Sequence, residues 1–150
     1  MTTATANPMS TELPRNVLLG AAAGLVGGIV FGLMMTMMGM IGMIGALAGQ
    51  MGNVPVSWMI HLVISAIIGA GFGVVVPYAG STSARVLGAG LVYGLGWWVL
   101  GPLLIMPTMM GMGPQLSPAG MSAAMPSLVG HLIFGLVTAY AWRWLSRRQA

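Results

Sequence analysis

The chain predicts an all-α fold, a polytopic membrane protein of four transmembrane helices built as a tandem two-by-two parallel repeat. Three observations lead there. Of 150 residues, 57 % are hydrophobic and only 4 % charged, whereas a soluble domain keeps about a quarter of its residues charged. The five basic residues are Arg15, Arg85, Arg143, Arg147 and Arg148, and the single acid is Glu12. Neither 16–84 nor 86–142 contains any Asp, Glu, Lys or Arg, and each run far exceeds the roughly 20 residues a helix needs to cross a bilayer. The third observation is a likeness between the two halves of the chain, set out below.

Residues 1–14 read as a short, uncleaved, disordered cytoplasmic tail, with Pro14 in the opening turn of the first helix. The first span runs from about Asn16 to Met38, and its apolar pattern continues to the break at Asn53 and Pro55. The second spans about Ser57 to Pro77 and ends in the turn-like YAGSTS. The third starts at Arg85 and leaves near Met106 and Pro107, with Pro102 as a kink. The fourth runs from about Pro126 to Leu145, with Arg143 placed to snorkel to the interface. The domain division that follows is 15–80 and 81–150, two spans each.

The arginines set orientation. All of them flank the amino end, the second-to-third connection or the carboxyl end. The other two connections, 39–56 and 107–125, carry none. Under the positive-inside rule both termini are then cytoplasmic, and the expected location is the cell inner membrane, crossed several times. Tyr78, Tyr140, Trp142 and Trp144 fit an inner aromatic belt and Trp58 an outer one; Trp97 and Trp98 fall mid-span and fit neither. The net charge of +4 points to the anionic lipid surface as partner rather than to nucleic acid. The two outer connections are apolar and rich in Met and Gly, so they make poor solvated loops. They are expected to lie in the interface or to fold back over the bundle, where protein can satisfy their backbone groups.

GLVGG at 24–28 matches GLVYG at 90–94, and MMGM at 37–40 matches MMGM at 109–112. Met51, Ser57, His61 and Leu62 match Met121, Ser127, His131 and Leu132 at a constant offset. Methionine and glycine matches carry little in so biased a chain; the histidines carry more, since there are only two. Each half holds two spans, so both halves insert in the same direction, as a parallel repeat about an axis along the membrane normal. With its glycine-rich spans and the sequences His61-Leu62-Val63 and His131-Leu132-Ile133 opening alternate helices, the chain resembles small four-helix bacterial inner-membrane proteins, a domain of unknown function. The resemblance implies a four-helix membrane fold and brings no activity with it.

Gly20, Gly24, Gly28 and Gly32 recur every fourth residue, and Gly90 and Gly94 repeat the device in the third span. Such a row leaves a helix face almost bare, so another backbone can approach closely, which is how helices associate in lipid. Packing within the chain is the first reading; a homo-oligomer or a pore lined by the first helix is the second.

His61 and His131 each lie about one turn inside the outer end of an even-numbered span, heading a face of small residues. An ionisable side chain inside a membrane is a functional candidate. Methionines crowd the same end, among them Met38 and Met40 after the first span and Met110 and Met112 after the third. Thioether with imidazole suits Cu(I), and two facing histidines suit a haem b iron. Set against this, methionine is a flexible apolar filler, and a buried histidine often serves only to hydrogen-bond a neighbouring helix. The packing reading comes first, with no cofactor; haem b or copper is the alternative.

Several classes drop out. No Asp or Glu lies inside a span, which argues against a carboxylate proton or sodium relay. The absence of lysine excludes a retinal Schiff base, and the absence of cysteine excludes thiolate sites. Ser57 and Ser127, four residues before each histidine, have no carboxylate to complete a triad. The expected role is non-enzymatic, that of an accessory subunit, an assembly factor or a membrane-structural protein, alone or within a larger membrane complex. The alternatives are a haem b or Cu(I) binder and a passive channel for a small neutral solute.

Overall fold

The computed structural model describes the backbone of residues 8–148 and the side chains of residues 12–148. The described residues are all-helical, without a strand. Helix α1 spans Pro8–Met37, α2 Val54–Val75, α3 Ser83–Trp98, α4 Met106–Met109 and α5 Pro118–Arg148. A wide helical segment, Val99–Ile105, joins α3 to α4, so that four helical stretches are long and apolar enough to cross a membrane.

Proline explains most departures from the expected boundaries. α1 is already helical at Pro8, the first described residue, rather than starting near Asn16, so Pro14 lies inside the helix and not in its opening turn, and 8–14 are helical rather than disordered. The rest of the expected tail, residues 1–7, lies outside the described residues. α5 begins at Pro118, not Pro126, because Ser117 caps it: its Oγ accepts the Gly120 N–H at 3.1 Å. Pro126 sits within the helix, as proline can where neighbouring groups take up the freed carbonyls. Pro102 cannot donate to the Trp98 carbonyl and its ring crowds that turn. The helix accommodates it by widening to the π form over Val99–Ile105.

Both arginine-free connections fold back over the bundle. In the first, Ile41–Ala48 is a 3-10 helix with Ile41 and Gly45 buried. It is tied down by Gly52 N–H to the Gly42 carbonyl (2.9 Å) and Gln50 N–H to the Gly45 carbonyl (2.8 Å). Its end needs a left-handed backbone at Gly49, φ +66°, a conformation glycine adopts without cost. Asn53 then caps α2 by accepting the Val56 N–H at 3.2 Å. In the second connection, Pro107 leaves the Leu103 carbonyl without its usual helical donor, and the Gln115 N–H supplies one at 2.7 Å.

α1 packs along α2 and along α5, α3 packs on α5, and α2 and α3 stand on the outer flanks. Two apolar clusters fill the bundle. Phe31, Met35, Ile41 and Phe134 form one; Phe72, Val76, Val86 and Ala139 form the other.

Of the expected belt residues, Tyr78, Tyr140 and Trp144 are exposed. Trp142 packs inward on the second cluster instead, and Trp58 on the first. Trp98 is buried, with its indole N–H donating to the Ala124 carbonyl at 2.9 Å. The Arg143 guanidinium donates to the Ser81 carbonyl at 2.7 Å.

Candidate functional site

The glycine row of α1 shapes the site. A Cβ at Gly24 would stand 2.6 Å from the Gly69 Cα, and one at Gly20 would stand 2.8 Å from the Gly73 Cα. The α1 and α2 backbones therefore touch with no side chain between them. Further along the row, a Cβ at Gly28 would meet the Ser65 side chain and one at Gly32 the Trp58 ring, with His61 Cδ2 3.1 Å away. Gly32 thus makes the space in which Trp58 and His61 sit. In the second half, a Cβ at Gly90 would stand 2.6 Å from the Ala139 Cβ, and one at Gly94 3.4 Å from the Gly135 Cα.

His61 is buried, and its Nε2 is 2.9 Å from the Gly28 carbonyl, so in the tautomer that bond requires, α2 donates to α1. The missing side chain at Gly28 makes room for Ser65, one turn along α2 from His61. Ser65 Oγ donates to the His61 carbonyl at 2.7 Å, one turn below. His131 is half-buried, and its Nδ1 lies 2.8 Å from the Ser127 carbonyl of its own helix.

The two rings are brought to one level, and Phe31 stands between them. Its ring meets that of His61 edge-on at 5.6 Å between centroids and that of His131 at 4.8 Å. Phe31 lodges in a notch left by Gly130, where a Cβ would lie 2.5 Å from the Phe31 Cδ2. A haem plane bridging the two histidines would need the space this phenyl ring fills, so these residues do not fit that group.

The candidate methionines are spread out. Met40 packs on the cluster that contains Phe31. Met38 and Met112 are exposed, and Met110 is half-buried in the opposite connection. Among the described residues no group of three His or carboxylate side chains gathers that could hold a metal.

No protein-family model, curated protein or solved structure matches the chain.

Phe31, Gly130 and Tyr93 are residues that sequence reasoning does not single out. A signal for Phe31 does exist. Leu19, Ala23, Gly27, Phe31 and Met35 recur every fourth residue and are all buried. Gly27 and Phe31 of this second row meet Phe134, Thr138, Gly130 and His131 of α5. Tyr93 gives no such signal; its hydroxyl donates to the Ile68 carbonyl of α2 at 2.7 Å, across the gap between α2 and α3.

Proposed function

We propose that this chain is a small, non-enzymatic inner-membrane protein that acts through its helix faces. It serves as an accessory or assembly subunit of a larger membrane complex, or as a structural element of the membrane itself. The observation that carries the reading is where the polar groups are spent. His61 is used on the Gly28 carbonyl and His131 on the Ser127 carbonyl, with Phe31 closing the space between them. The outward faces, with Leu18, Val63, Ile67 and Val92 exposed, are suited to lipid or to other helices.

The two-by-two repeat belongs to this reading, and the contacts support it. Gly24 abuts Ser65 and Gly69; Gly90 abuts Gly135 and Ala139. Gly28 abuts Ser65 and Gly94 abuts Gly135. One shift, of 66 residues (90 − 24), relates the first helices of the two pairs, and another, of 70 (135 − 65), relates the second. Both shifts are those of the sequence matches. Four membrane crossings with both termini cytoplasmic complete the proposal.

The test is to extract the chain from its native membrane into polymer-bounded lipid particles, size it, and measure bound iron and copper. Expected is co-migration with further chains at fixed stoichiometry, or a lipid-rich particle of this chain alone, with neither metal near one per chain. Near-stoichiometric iron or copper that disappears on His61→Ala would overturn the proposal and restore the haem b or Cu(I) reading. Flux of a small neutral solute through liposomes holding the pure chain would overturn it in favour of a channel.

A further inference from the structure

The row Leu19, Ala23, Gly27, Phe31 of α1 is buried, and its lower members meet α5. Shifted by the same 66 residues (85 − 19), it becomes Arg85, Ala89, Tyr93, Trp97 of α3. That second row lines an open groove of about 740 Å³, whose other side is formed by Val75 at the end of α2 and Ala79 in the turn that follows. The seam that is closed between α1 and α5 is thus left open between α2 and α3, and an arginine stands at its end where the closed seam has a leucine.

The groove's dimensions and charge limit what can occupy it. From Arg85 to Leu100 it follows α3 and the start of the wide segment over fifteen helical steps (100 − 85), about 22 Å at a helical rise of ~1.5 Å per residue. One leaflet of hydrocarbon is about 15 Å deep, half of a ~30 Å core. Tyr93 reaches the Ile68 carbonyl from α3, so one tyrosine side chain spans the gap. Apart from the Tyr93 hydroxyl and the Trp97 indole, the lining from Gly88 to Leu100 is apolar, as suits a single hydrocarbon chain. Beside the mouth, the Arg85 guanidinium lies against Gly80 of the turn, while the one acidic side chain, Glu12, is taken by Arg15 at 2.8 Å. Arg85 therefore has no carboxylate side chain left to pair with. A second copy fits poorly, because a two-fold contact in a bilayer brings Arg85 to the same depth as its own copy.

We propose that the groove between α2 and α3 binds one acyl chain of an anionic phospholipid, whose phosphate pairs with Arg85. A phosphate offers the bidentate geometry a guanidinium matches, and a zwitterionic headgroup offsets that attraction with its own cation. The proposal stands independently of what larger complex the chain serves, since it concerns the isolated protein.

The experiment is native mass spectrometry of the full chain in detergent, with phosphatidylglycerol or phosphatidylcholine of identical acyl chains added. Expected is preferential retention of phosphatidylglycerol, lowered about fivefold by Arg85→Gln, the size of one arginine's contribution near an anionic lipid. Arg147→Gln, which removes the same charge outside the groove, should leave retention unchanged. Gly88 and Gly96 line the groove and face open space, so Gly88→Leu, and independently Gly96→Leu, should reduce retention of both lipids. Circular dichroism checks that each variant is folded. Equal retention of the two lipids would overturn the proposal, as would equal loss in Arg147→Gln. Undiminished binding in both folded leucine variants, or a second copy of the chain in place of lipid, would overturn it too.

Discussion

A histidine in lipid must give its ring N–H to an acceptor, because no water competes for it, and the choice of acceptor decides what the residue is worth. His61 gives its N–H to another helix, across a seam opened by glycine, with Trp58, Phe31 and Gly32 packed around the ring. His131 gives its N–H to a carbonyl one turn back in its own helix. The two histidines therefore match in sequence but differ in consequence. His61→Ala removes an interhelical bond, about 0.6 kcal/mol on average in a membrane, and leaves a void whose lining must relax. The expected total is roughly 2 kcal/mol. His131→Ala removes only a local bond from a half-buried ring, and about 1 kcal/mol or less is expected. Reversible unfolding of each variant in mixed micelles measures both losses. Equal losses would mean that the bond to Gly28 contributes nothing beyond the local one.

At the scale of the helices, what matters is which glycines have a neighbour. Gly24 of α1 and Gly96 of α3 are both mid-helix, yet a Cβ at the first meets backbone and at the second meets nothing within 4 Å. Gly24→Ala should force α1 and α2 apart and cost about 1–3 kcal/mol, the range for overpacking a closed site. Gly96→Ala should be neutral or stabilising by up to ~1 kcal/mol, the gain in helix propensity. Thermal unfolding of the two variants side by side gives the comparison, and a matching loss in both would remove the distinction between seam and groove. The seam itself is legible in the sequence, because a spacing of four survives folding as a face and glycine has few other reasons to recur there. The second row, Leu19 to Met35, is less legible because it mixes leucine, alanine, glycine, phenylalanine and methionine, residues that lipid-facing positions also use. The helix start at Pro118 is illegible for another reason. Proline reads as a boundary wherever it occurs, and a Ser117 cap outweighs Pro126 only once the chain around it is folded. Phe31 between the histidines follows from neither pattern, since the notch at Gly130 that admits it belongs to another helix.

For the whole molecule, the decisive feature is that the arginines gather at one end. Arg15 on α1 donates to the Ser146 carbonyl of α5 at 3.5 Å, and Arg143 on α5 donates to the Ser81 carbonyl beside α3 at 2.7 Å. These bonds join the first helix, the α2–α3 turn and the end of the last helix into a single basic rim, with Arg85, Arg147 and Arg148 on the same three segments. The opposite rim holds the two arginine-free connections. The proposed orientation, with the basic rim in the cytoplasm, rests on this asymmetry under the positive-inside rule. The absence of cysteine makes this simple to read on the purified chain, since any introduced thiol is the only one it carries. Met51 and Leu116 are exposed in the two connections, and Ser81 is exposed in the α2–α3 turn. A membrane-impermeant maleimide should label Met51→Cys and Leu116→Cys in intact bacteria, and Ser81→Cys only after the inner membrane is opened. The reverse pattern would invert the orientation while keeping four crossings. Labelling of only one of the two connections would break the four-crossing topology itself, because an even number of spans between Met51 and Leu116 requires them to share a side.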